Sequence, residues 1–161
     1  YKLNLKKMKK LLFAILMALM VSSVIGQTVD DIIEIERSVL KAEKKAIVAE
    51  NMNFTEDEAA VFWPLYQEFT NEEYRLQTER VKIIKEYAEN YNSLDDIKAD
   101  DLMSRYLKLK SDEAKFNIKY FKQFKKILPA SKVARFFQIE NKMNAIVNAE
   151  LALDIPLVES K

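Results

Sequence analysis

The sequence predicts an all-α protein of four long helices, and three observations carry that reading. Apolar residues recur at spacings of three and four along four stretches of chain, the mark of a helix with one buried face. The joints between those stretches are short and polar or carry proline, with capping residues beside them. No stretch alternates apolar and polar residues as a half-buried strand would.

The first helix is expected from about Asp30 to Asn51, with Asp30 and Asp31 capping its positive end. Its apolar residues Ile32, Ile35, Val39, Ala42, Ala46 and Ala49 recur at helical spacing, flanked by the heptad-spaced Ile33, Leu40 and Ile47. The second is expected to open at Thr55, whose hydroxyl accepts an orphan backbone amide while Glu58 reaches back, a capping box. Its stripe is Ala59, Phe62, Tyr66, Phe69, Leu76, Ile83 and Tyr87, some thirty-five residues of helix. Pro64 lies inside it, removes an amide donor and predicts a bend near residues 60–64. Glu73 and Arg80 interrupt the stripe one heptad apart. Either the inner face turns wet there, or they are ordinary solvated charges.

Residues 93–101 read as a turn and cap, rich in Asp and Asn. The third helix, about Asp100 to Leu128, carries Leu102, Tyr106, Leu109, Phe116, Tyr120, Phe124 and Ile127 on one side, with Leu107, Ala114, Phe121 and Leu128 beside them. Pro129 stops it and opens the fourth, since proline suits a first helical turn. That helix runs through Val133, Phe136, Phe137, Glu140, Met143, Val147 and Leu151 and ends before Pro156, leaving a loose tail from about Leu157.

The amino terminus reads as an export signal. Met8-Lys9-Lys10 precede an apolar run from Leu11 to Val21, and Val24 and Gly26 suit the −3 and −1 subsites of signal peptidase, making Gln27 the expected mature terminus. The run is shorter than the roughly 20 apolar residues that span a bilayer, so cleavage near Gly26 and a periplasmic location are expected, without stable membrane insertion. Residues 1–7 read as an upstream extension before an initiator Met8. The remaining 135 residues suffice for one domain, burying about 70% of their unfolded surface.

From Gln27 onward the chain has no glycine, histidine or cysteine. That excludes a glycine-rich phosphate loop, an ordinary zinc site, a Cys or Ser–His nucleophile and imidazole acid/base chemistry. Four of the five paired or tripled carboxylate clusters sit at or near expected helix starts, where capping accounts for them. No catalytic, metal-ligating or cofactor-binding residue is therefore assigned, and a non-enzyme is expected.

Charge is uneven. Once the five signal-region lysines leave, 21 basic and 25 acidic residues remain. Residues 27–97 carry a net −9 and residues 98–142 a net +7. Within the basic part Lys115, Phe116, Lys119, Tyr120, Lys122, Phe124, Lys125 and Lys126 interleave charge with aromatic rings, a candidate surface for an acidic or partly unfolded partner. Export argues against nucleic acid. Accessible Phe116, Tyr120 and Phe124 would favour client binding, whereas their burial would favour an adaptor or structural role.

Two segments share a layout: Phe54-Thr55-Glu56-Asp57-Glu58 and Leu128-Pro129-Ala130-Ser131-Lys132. Here the chain resembles the Spy/CpxP-like periplasmic proteins, whose hallmark is a Leu-Thr-x-x-Gln motif at the starts of two helices. The first copy has Phe for Leu and Glu for Gln, and the second has Pro for Thr and Lys for Gln. The resemblance implies an elongated, curved pair of helical hairpins, a homodimer, and a face that either holds unfolding clients without ATP or docks on an envelope-stress sensor. Arg135 and Glu140 are further candidates, as a docking pair or as a salt bridge to the second helix.

Overall fold

The computed structural model describes residues 26–158, of which 89% are helical, with no strand. Four helices follow one another: α1, Gly26–Met52; α2, Glu56–Asn90; α3, Asp96–Phe124; and α4, Ala130–Asp154. A single 3₁₀ turn, Tyr91–Ser93, lies between α2 and α3. The all-α architecture with long helices is thus as the sequence predicts. Residues 1–25, which hold the signal run and the extension before it, lie outside the described residues.

The boundaries obey the capping chemistry with three revisions, one being that α3 ends at Phe124 and not at about Leu128. Thr55 caps α2, its hydroxyl accepting from the Glu58 amide at 3.3 Å while the Glu58 carboxylate accepts from the Thr55 amide at 2.9 Å. Asp95, and not Asp100, caps α3 by accepting from the Lys98 amide at 2.7 Å. Chain ahead of Gln27 already belongs to α1, so Asp30 and Asp31 lie within the helix and do not begin it. In a segment free of glycine the turn after α1 falls to Asn53, at φ 47°, a left-handed conformation that asparagine tolerates better than most residues. Helix α2 continues through Pro64; the carbonyl that loses its partner belongs to Ala60, an exposed residue, where water can satisfy it.

The chain divides into two compact units. Among the described residues one comprises 26–51 together with 138–158, and the other spans Met52–Phe137. In the first, Ile33, Val48 and Met143 are buried, and Lys44 of α1 meets Glu140 of α4 at 2.8 Å. The buried side of α1 is therefore the flanking row of Ile33, Leu40 and Ile47 together with Val48, while Ile35, Val39, Ala42, Ala46 and Ala49 are exposed. A row of three alanines removes little area from water, so larger Ile, Leu and Val side chains decide which face turns inward.

The second unit is an antiparallel α2–α3 hairpin closed by the start of α4. One end holds an aromatic core in which Phe62, Phe69, Phe124 and Phe136 are each almost wholly buried. Phe62 lies 5.3 Å from both Phe124 and Phe136, Phe124 lies 4.8 Å from Phe136, and Phe69 lies 4.8 Å from Phe116, tilted or edge-on as ring quadrupoles prefer. Trp63 packs edge-on against Phe62 and Tyr66. The other end is an aliphatic cluster of Ile83, Leu102 and Leu109 with Leu76, Tyr87 and Leu94. Ion pairs cross the hairpin: Glu72 to Lys119, Arg80 to Glu113 at 2.7 Å, and Arg105 to both Glu79 and Glu86 at 3.0 and 2.7 Å. Arg80 is thus tied across the seam and is not a freely solvated charge.

Candidate functional site

The two motif copies meet. Lys132, at the fifth position of the second copy, donates to the carboxylate of Glu58, at the fifth position of the first, and to the Asn53 carbonyl at 2.9 Å. Its ammonium also lies 5.7 Å from the centre of the Phe54 ring, a cation–π contact. Glu58 therefore serves the Thr55 cap and the ion pair together. The bond from Lys132, followed by that from the Thr55 amide, holds its carboxyl below the ordinary range. At the second copy Leu128 is buried, and the Pro129 carbonyl accepts from the amides of Lys132 and Val133, which starts α4. Phe54, Thr55, Glu58, Leu128, Pro129 and Lys132 thus form one helix-start junction.

The basic aromatic face is split by the structure. Phe116, Tyr120 and Phe124, offered by the sequence as accessible rings, are buried. Their positions follow the helical repeat of Leu102 and Leu109, so they turn toward α2 with the rest of that face. The Tyr120 hydroxyl donates to Glu72 at 2.9 Å, and burial first, then that carboxylate, pushes its pKa up. Lys119 pairs with the same carboxylate, the largest influence lowering the Glu72 pKa, and lies 4.9 Å from the Tyr120 ring. Lys115 and Lys122 are exposed, the former 3.2 Å from Asp112.

On the opposite side of α3 lies an exposed strip, three of whose residues, Leu107, Ala114 and Phe121, the sequence reading placed beside the core row. Met103, Leu107, Ile118 and Phe121 are 55, 59, 56 and 42% exposed, and Ala114 is exposed among them. Lys108, Lys115 and Lys122 run beside the strip at intervals of seven. The signal that could have found it is the heptad offset between Leu107, Ala114 and Phe121 and the buried Leu102, Leu109 and Phe116. One helix cannot turn both rows inward.

Glu140 is 2% exposed and pairs with Lys44 of α1, so the expected salt bridge to the second helix is replaced by one to the first. Arg135 is exposed, and Glu140 is sequestered, so the two are not a surface docking pair. Among the described residues no group of three acidic side chains is gathered in a metal-holding arrangement, and no helix is long and apolar enough to cross a membrane. Comparison with known proteins adds no relative: no family model, curated protein or solved structure matches the chain.

Proposed function

We propose that this is an exported, non-enzymatic adaptor that docks through the outward strip of α3 on the sensor domain of a membrane signalling protein. The observation that carries this reading is the burial of Phe116, Tyr120 and Phe124. A surface that holds many unfolded chains benefits from broad accessible aromatic area, and those rings are spent on the core. What α3 offers instead is a single file of Met103, Leu107, Ile118 and Phe121 on a regular helix with lysines at its side. Such a file suits one amphipathic partner with an acidic rim, apolar contact supplying affinity and charge supplying encounter rate and register. The export signal and the resemblance to Spy/CpxP-like proteins support the same class. No cofactor and no nucleic acid belong to this reading.

A second reading, ATP-independent holding of unfolded clients, is favoured by the exposure of those same four apolar side chains between lysines. Two measurements separate the readings. Light scattering of a thermally denaturing client should be unchanged by a stoichiometric amount of the protein if it is an adaptor, and suppressed if it holds clients. A photo-crosslinking residue placed at Leu107 should, in envelope preparations, join the exported domain of a membrane signalling protein. Lys115→Glu with Lys122→Glu should abolish that product. Suppressed scattering with no such product would overturn the adaptor reading.

A further inference from the structure

Cleavage after Gly26, expected from Val24 and Gly26 at the −3 and −1 subsites, frees the α-amine of Gln27 and gives that residue chemistry no internal glutamine has. The amine then lies in the same residue as a side-chain amide carbon, at the spacing that closes an unstrained five-membered lactam. An intramolecular attack of this kind needs no encounter. An unperturbed α-amino group titrates near 8, so roughly a tenth of it is the neutral nucleophile at pH 7. Gln27 lies in the first turn of α1, which runs without a break from Gly26 to Met52. After cleavage the α-ammonium would stand at the positive end of that helix, among backbone amides with no partner inside it. That end disfavours a cation, whereas Asp30 and Asp31 favour one. From Gln27 to Glu36 four side chains are acidic and none is basic, Arg37 being the first cation, so negative charge already suits the helix start.

We infer that the mature protein begins with pyroglutamate, formed by cyclisation of Gln27. The α-nitrogen lone pair attacks Cδ and the N–Cδ bond forms. The Cδ–Nε2 bond breaks, a proton passes from the α-nitrogen to Nε2, and Nε2 leaves as ammonia. No oxidant, reductant or cofactor is consumed. The product keeps one lactam N–H but no ammonium, so the opening turns of α1 carry only negative charge at the positive end of the helix. A chain that starts this way also presents no free α-amine to aminopeptidases. The inference rests on cleavage after Gly26 and is independent of the partner proposed above.

The test uses protein recovered rapidly from the envelope fraction of cells that make the full chain. Intact-mass analysis should find residues 27–161 lighter by one ammonia. Edman sequencing should be blocked until pyroglutamyl peptidase exposes Thr28-Val29-Asp30. Gln27→Asn, whose shorter amide can close only a strained four-membered ring, should give an unblocked terminus of full mass under the same isolation. If Gln27→Asn is not cleaved, Gln27→Ala replaces it with the same expectation. A free Gln27 amine at isolation, including one that cyclises only on storage, would overturn the inference and leave the expected cleavage site standing. A terminus at any other residue would overturn both. A blocked Gln27→Asn terminus would trace the block to other chemistry and would also overturn the inference.

Discussion

Lys132 donates to Glu58 across 74 positions of sequence, and by doing so joins the fifth residues of two helix-start motifs. Glu58 is also the residue that reaches back to the Thr55 amide. One carboxylate thus orients the start of α2 and ties it to the start of α4.

That coupling is measurable. Thr55→Ala should lower stability by about 0.5–2 kcal/mol, the cost of losing a capping side chain. Lys132→Met and Glu58→Gln, compared singly and together by urea unfolding, should be non-additive because each removes the same contact. Additive effects would mean that the contact adds no coupling.

The aromatic end should be far less tolerant than the outward strip. Phe124 and Phe136 are wholly buried, so replacing either by Ala removes a large side chain and leaves a cavity, at about 3–5 kcal/mol. Leu107→Ala, on the exposed side of the same α3, should change stability by about 0.5 kcal/mol or less. Equal losses at Leu107 and Phe124 in chemical denaturation would contradict the assignment of faces.

Lys44 and Glu140 form an ion pair at 2.8 Å with the carboxylate side chain 3% exposed. Removing only the cation by Lys44→Ala should cost about 3–5 kcal/mol, since it strips a buried carboxylate of its ion-pair partner. Lys44→Met combined with Glu140→Leu should recover most of that loss. A double replacement no more stable than the single one would show that the pair itself, and not the cost of separating it, stabilises this unit.

Acid should loosen the α2–α3 hairpin over a defined range. Hydrogen bonds from Arg105, then Lys98, lower the Glu86 pKa from its ordinary 4.5 to about 2, and Glu72 moves the same way through Lys119. A carboxyl whose folded pKa lies below its unfolded one stabilises the fold above the unfolded value and loses that contribution as pH falls through the folded one. The melting temperature should therefore decline between pH 4.5 and about 2, and Glu86→Gln should flatten part of that decline. A Glu86→Gln profile parallel to the parent's would remove Glu86 from the account.

Much of this fold was legible in the residues. Thr55 and Glu58 announce the start of α2, Pro129 that of α4, and the rows Phe62, Tyr66, Phe69 and Leu102, Leu109, Phe116 name buried faces correctly. Those signals are local, because a cap or a period of 3.6 depends on neighbours within one turn. The candidate site was less legible. Lysines 115 and 122 do lie on the surface, but Phe116, Tyr120 and Phe124 beside them in sequence turn the other way. Adjacency in sequence is about 100° of rotation on a helix, so interleaved charge and aromatics spread around it and do not share one face.

The sequence by itself determined the helices, their order, their capping residues and the absence of the side chains that most catalytic sites use, all properties set within a few residues of chain. Only the tertiary structure decided which of two apolar rows on α1 and on α3 became the core, that Glu140 would answer Lys44, and that Lys132 would close on Glu58. Both rows of each helix satisfy the same periodicity. The choice between them rests on how much apolar area, and which opposite charges, the neighbouring helices bring to each side.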